Sequence, residues 1–251
     1  MIEIKNISKQ YNNKVVLDDV SLNIRDQAIT TFIGANGAGK STLLSIMSRL
    51  VEQDKGSIII DGKDIDQWDN KELSKKISIL RQTNNINMRL TIEELVSFGR
   101  FPHSNGRLSE KDQEIIARSL SYLKLEDIKH KYLDQLSGGQ RQRAYIAMVM
   151  AQDTEYIFLD EPLNNLDMKH SVEIMQILQD LVRDFNKTIV IVIHDINFAS
   201  KYSDYIVALK DGKLIEDGHT NKIIDKSILK NIFDLDFHIQ TTDDMKLCVY
   251  Y

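Results

Sequence analysis

The nine residues GANGAGKST, from Gly34 to Thr42, fit the pattern G-x-x-x-x-G-K-[ST] without a gap. Glycines at 34, 37 and 39 let the backbone turn tightly and aim its N–H groups inward. A helix starting near Lys40 would point its positive end at the same place. That arrangement suits the phosphates of a nucleotide. Lys40 would reach the β- and γ-phosphates and Ser41 would hold Mg2+, with Asn36 and Thr42 in the same cradle. The plainer alternative is an ordinary Gly-rich turn. A strand before the match and a helix after it argue against that.

A second stretch, YIFLDEPLNNLD (156–167), runs from aromatic and branched apolar residues into two carboxylates and a proline. A buried carboxylate is costly unless something compensates its charge. Beside a Mg2+ nucleotide the compensation is at hand. Asp160 would hold the metal, through a water, and Glu161 would lie next to the γ-phosphate and polarise the attacking water. Two solvated acids at a strand end remain the plainer reading.

These residues need a sheet to gather them. Residues 28–33 read as a strand into the Gly-rich turn and 40–50 as the helix after it. Short apolar strands are expected at 156–160, 188–193 and 205–209, with a helix at 169–185 between the first two. Buried strands alternating with helices imply a mostly parallel α/β sheet. Residues 2–7, 15–24 and 57–61 read instead as antiparallel strands. From about 85 to 152 the apolar spacing is helical, as in TIEELVSF, SEKDQEIIARSLSYLKL and GQRQRAYIAMVMA, so this block reads as an insertion. A helix at 227–234 and a short tail would close the chain.

The totals fit a globular domain with an ample core: 251 residues, 42% hydrophobic and 27% charged. A net charge of -5 argues against nucleic acid as a partner, because phosphate backbones call for a basic surface. The single cysteine, Cys248, excludes a disulfide within the chain and fits a reducing compartment. MIEIKNISKQ carries no apolar signal region, and the run IVIVI at 189–193 is far short of a membrane span. The chain reads as soluble by itself and able to dock on something that is not.

LSGGQ at 136–140 narrows the class. With it, the chain resembles the ATP-binding subunits of ABC transporters over essentially its whole length. LSGGQRQR (136–143) is similar to the signature motif, in which Ser137, Gly138, Gly139 and Gln140 meet the γ-phosphate of ATP held by a partner subunit. Tyr11 resembles the aromatic that stacks on adenine. Gln82, after KISIL, resembles the glutamine that touches Mg2+ or the attacking water and senses the membrane partner. Asp167 resembles the aspartate that crosses the dimer interface, and His194, after TIVIVI, the switch histidine near the γ-phosphate. The remaining histidines, 103, 130, 170, 219 and 238, lack metal-ligand spacing and read as surface residues. One stretch departs from the family pattern. Leu163, Asn164 and Asn165 stand where relatives often carry Thr and a small residue, while the key carboxylates remain.

The resemblance implies a P-loop NTPase (RecA-like) α/β core with an antiparallel β subdomain, residues 1–84 and 153–251. It also implies an inserted α-helical subdomain, 85–152, carrying the signature. It implies ATP and Mg2+ as ligands and a head-to-tail homodimer closing on two nucleotides. It further implies transmembrane permease subunits, and through them an extracytoplasmic substrate-binding protein, with the chain peripheral on the cytoplasmic face of the membrane. ELVSFGRFPHSNGRLSEKD (94–112), with Gly99, Arg100, Phe101 and Pro102, and DEPLNNLDMKHS resemble the branch serving iron–siderophore, haem and cobalamin importers. A helix end with a proline stop is the plainer reading of GRFP. Ferric-siderophore import leads. Import of cobalamin, haem or a metal ion, a soluble ABC ATPase of translation or repair, and a non-hydrolysing regulator stay open. The chain lacks the second P-loop or sustained heptads of the soluble types, and Lys40, Asp160, Glu161 and His194 speak against the regulator.

Overall fold

A computed structural model describes residues 1–82, 88–243 and 245–250. The chain opens with β1 (Ile2–Tyr11), β2 (Lys14–Ile24) and β3 (Ile29–Ile33), then α1 (Lys40–Met47), β4 (Lys55–Ile60) and β5 (Lys63–Asp64). It continues through α2 (Asn70–Lys76), β6 (Ile77–Leu80), α3 (Ile92–Phe98), α4 (Phe101–Ser104), α5 (Glu110–Tyr122) and α6 (Gly138–Ala151). The last part comprises β7 (Tyr156–Asp160), α7 (Met168–Phe185), β8 (Thr188–Val192), α8 (Ile196–Tyr202), β9 (Tyr205–Lys210) and β10 (Lys213–His219). It ends with α9 (Thr220–Ile223), α10 (Lys226–Phe233), β11 (His238–Thr241) and β12 (Lys246–Val249).

The expected α/β class holds. A six-stranded sheet has the order β10-β9-β3-β8-β7-β6, and only its edge strand β10 runs antiparallel to its neighbour. An antiparallel sheet of order β2-β1-β4-β5 lies apart from it. The expected start of the helical block at residue 85 lies outside the described residues.

Alternation along β7 and β8 sorts side chains to the two faces of the large sheet. Ile157, Leu159, Ile189 and Ile191 share a core with α6 and α7 residues such as Ala147, Met150, Ile174 and Leu178. Tyr156, Phe158, Val190 and Val192 share the other with Leu43, Leu44 and Met47 of α1 and the inner face of the antiparallel sheet. The helix after the phosphate loop and the helix after LSGGQ therefore lie on opposite faces.

Three elements differ from expectation. The helix after the Gly-rich turn stops at Met47, because Ser48 Oγ donates to the carbonyls of Leu44 and Ser45 and Arg49 takes a φ of 56°. Pro102 does not stop a helix but sits in the first turn of α4, where its missing N–H costs nothing. The expected tail is the hairpin β11–β12. Asn197 of α8 exchanges two hydrogen bonds with the Cys248 backbone, and Ser200 Oγ donates to the Lys246 carbonyl. Cys248 is buried there, and burial pushes its thiol up to about 11.

Candidate active site

The phosphate-loop residues follow β3, Gln82 follows β6, Asp160 ends β7 and His194 follows β8. These are four neighbouring parallel strands, so their C-terminal ends form one edge, the place where open α/β sheets bind ligands.

The loop can be closed only by glycine at its two ends. Gly34 has φ 143° and a Cβ there would lie 2.1 Å from the Leu209 carbonyl oxygen. Gly39 has φ 98°, and a Cβ would meet Leu17 at 2.7 Å and the Val16 carbonyl at 2.8 Å. Gly37, also at positive φ, faces open space. The contact with Val16 and Leu17 seats the β1–β2 hairpin against the loop, and Tyr11 stands exposed near the tip of that hairpin, paired with Lys14. Asn36 is exposed on the loop, and Ser41 and Thr42 are half-buried in the first turn of α1.

Lys40 is buried, and its ammonium donates to the carbonyls of Gly34 at 2.8 Å and Ala35 at 3.0 Å. Burial lowers its pKa, opposed by the charges of Glu161 and Asp160. Ser41 Oγ donates to Asp160 Oδ1 at 2.7 Å. Burial raises the Asp160 pKa, opposed by the Ser41 bond and reinforced by Glu161. An anion near Lys40 and a cation near Asp160 would each offset a desolvation cost already present. The charges of the site therefore suit a phosphate–metal ligand. Ser41 and Asp160 offer the hard oxygens that Mg2+ takes together with phosphate and water. Among the described residues no group of three His, Cys, Asp or Glu side chains could hold a metal by itself.

Glu161 adopts φ 52°, a left-handed conformation uncommon outside glycine and the kind of local strain found at functional sites. Its carboxylate is 11% exposed and accepts three hydrogen bonds from three parts of the chain. His194 Nε2 donates to Oε1 at 2.6 Å, Gln82 Nε2 donates to Oε2 at 2.6 Å, and Asn164 Nδ2 donates to Oε2. An open cleft of ≈ 280 Å³ flanks Glu161, Asn164 and His194. Asp195, beside the histidine, is a helix cap: its carboxylate accepts the N–H groups of Asn197 and Phe198.

The Asn pair finds a local reason here. Asn164 orients the carboxylate, and Asn165 supplies a φ of 62°, which asparagine tolerates better than most residues. The departure at Leu163-Asn164-Asn165 was visible in the sequence. The contact it makes was not.

The LSGGQ residues lie elsewhere on the chain. Ser137 caps α6: its Oγ accepts the Gln140 N–H, and Gln140 Oε1 accepts the Ser137 N–H. This capping box leaves the Ser137 hydroxyl hydrogen available to donate. Gly138 is exposed beside it and Gly139 is buried. Asp167 caps α7, and its carboxyl is held below the usual range, first by the His170 backbone N–H. His170 is half-buried against this cap rather than a free surface residue, and His103 is half-buried with a ring nitrogen 2.9 Å from the Gln152 carbonyl. His130, His219 and His238 are exposed as expected.

The family described as ABC transporter matches residues 17–164. The petrobactin import ATP-binding protein YclP of Bacillus subtilis (strain 168) is 64% identical over the full length of both chains. The chain belongs to the ABC transporter ATP-binding family. The petrobactin import ATP-binding protein FatE of Bacillus anthracis is 47% identical over 93% of this chain and 94% of its own. Among solved structures, the dimeric ABC transporter cassette MJ0796 superimposes with a TM-score of 0.78 at 33% identity, covering 88% of this chain and 99% of that one. This ABC ATPase therefore has the P-loop cassette fold and the ATP-binding, ATP-hydrolysing role of its family. Among the described residues no helix is long and apolar enough to cross a membrane.

Proposed function

We propose that this chain is the ATP-hydrolysing subunit of a ferric-siderophore importer. The observation that carries the cargo is 64% identity, end to end, with a petrobactin import ATP-binding protein.

Two copies close head to tail on two ATP molecules. The placement of α1 and α6 on opposite sheet faces supports this, because it separates the LSGGQ turn of a chain from its own phosphate loop. Lys40, Gly34, Asn36, Gly37, Gly39, Ser41 and Thr42 hold the phosphates, Tyr11 the adenine, and Ser137, Gly138, Gly139, Gln140 and Asp167 meet the nucleotide of the partner. Glu161 polarises the attacking water, with His194 and Gln82 at the same carboxylate. Ser41, Asp160 and Gln82 would hold Mg2+, which when bound neutralises charge on the β- and γ-phosphate oxygens. If Asp160 supports that ion through water, Asp160→Asn raises the Mg2+ concentration for half-maximal ATPase activity by about 10- to 100-fold. A Mg2+ titration of phosphate release checks this, and an unchanged midpoint removes Asp160 from the role.

The described residues of the helical subdomain, 88–152, stand between the two parts of the core and meet the membrane permease on the cytoplasmic face. An apolar groove of ≈ 470 Å³ lined by Leu90, Phe98, Phe101 and Leu108 supports this surface, with Glu93 and Glu94 at its side. Phe101 and Phe98 are 59% and 48% exposed, unusual for their size. An extracytoplasmic binding protein would deliver cargo to the permease, so no residue of this chain reads the siderophore.

The decisive experiment is uptake of radiolabelled ferric petrobactin by iron-starved cells whose only copy is parent or Glu161→Gln. Uptake is expected to fall to background in the variant. Unchanged uptake with an expressed, ATPase-dead variant would move the cargo to the alternatives.

A further inference from the structure

The residues between Glu161 and α7 make a contact that neither phosphate chemistry nor helix capping requires. Asp167 Oδ1 accepts the backbone N–H of His170 at 2.9 Å, an ordinary cap, and also lies 2.8 Å from His170 Nδ1. An ionised carboxylate only accepts, so Nδ1 carries the proton in that bond. The far side of the same imidazole rests on the LSGGQ turn. A Cβ on Gly139 would lie 2.4 Å from His170 Cδ2, 2.6 Å from Cγ and 2.9 Å from Nε2. The neighbouring Gly138 faces the Asn165 carbonyl and Leu166 at 3.6 and 3.9 Å by the same construction. Glycine at 139 is thus required by the histidine ring and not by its own backbone angles.

We propose that His170 is a positioning residue that joins Asp167 to the LSGGQ turn of its own chain, so that both meet the partner's nucleotide as one rigid unit. This rests on the head-to-tail dimer of the preceding section. Asp167 is 65% exposed on its side chain and reaches outward, while Gly139 is buried at the base of α6. The imidazole is the one described side chain that hydrogen-bonds the first and packs on the second. Without it, the carboxylate keeps its backbone bond but loses its second donor, and the turn loses its backing.

The test measures Mg·ATP-dependent dimerisation by analytical ultracentrifugation in a Glu161→Gln background. His170→Ala is expected to raise the dimer dissociation constant about tenfold, because the Asp167 carboxylate of each chain is then held less well for the partner's nucleotide. In the otherwise native chain it should raise the KM for ATP while the thermal midpoint without nucleotide stays near the parent value. His170→Asn, whose amide can occupy the place of Nδ1, is expected to recover part of the affinity. Gly139→Ala should weaken dimerisation, and adding His170→Ala should worsen it less than additively, because the clash is with the ring itself. The proposal is overturned if His170→Ala dimerises like its parent. It is also overturned if both His170 variants lose affinity only in step with a lowered thermal midpoint, which would mark a plain helix cap. A Glu161→Gln parent that stays monomeric with Mg·ATP defeats the dimer itself, a result distinct from either.

Discussion

Glu161→Gln is expected to lower ATP turnover by about 10²- to 10⁴-fold, the range for loss of a general base, while ATP binding and the ATP-dependent dimer survive. Glutamine matches the side chain in size and has the same backbone freedom, so the left-handed residue at φ 52° is not disturbed by the change. What disappears is the negative charge at the centre of three donors, His194, Gln82 and Asn164. The two amides can turn over to meet the new side chain, which keeps the pocket filled. Neither can polarise water as a carboxylate does. Phosphate release under saturating Mg·ATP reads the loss, and sedimentation of the same sample reads the dimer. Activity within a few fold of the parent would remove Glu161 from its role.

The largest stability effect is expected in the helical region at Arg100. Its Nε donates to Asp112 Oδ1 at 2.8 Å and a guanidinium nitrogen donates to the Ala151 carbonyl at 2.8 Å. Asp112 Oδ2 accepts the N–H and hydroxyl of Ser109. The two side chains are 5% and 8% exposed, so Arg100→Leu strands a carboxylate in the interior and costs about 3–5 kcal/mol. Chemical denaturation at neutral pH measures it, and a cost below about 0.5 kcal/mol would refute a buried role. The pair also sets a pH dependence. The Ser109 hydroxyl and backbone N–H, and then Arg100, hold the Asp112 carboxyl at about 2, below its unfolded value of 3.8. A depressed carboxylate stabilises the fold fully above the unfolded value and loses that contribution as pH falls through the folded one. The stability gap between parent and Asp112→Asn should therefore narrow from pH 4 toward pH 2. Since Ala151 ends α6 and Ser137 caps its start, loosening this pair also loosens the helix that carries LSGGQ.

The sequence by itself determined the phosphate loop, because its conformation is local: glycine is needed where φ is positive, and the flanking strand and helix follow from a few residues on either side. It also determined the class, since the apolar strands and the order of the motifs lie in one dimension, and it located Lys40, Ser41, Asp160, Glu161 and His194. Only the tertiary structure decided which of these touch. Gln82 and Glu161 are 79 residues apart and meet because β6 pairs with β7, while His194, 33 residues on, arrives because β8 pairs with β7 on the other side. Strand order depends on packing over the whole core and leaves no mark at any one position. The same holds for His170, which reads as a surface residue in the sequence and whose ring finds Gly139 only once α6 and α7 pack. The C-terminal hairpin was equally silent. A hydrogen bond to the backbone of a strand 51 residues away is written in the fold and not in the neighbouring residues.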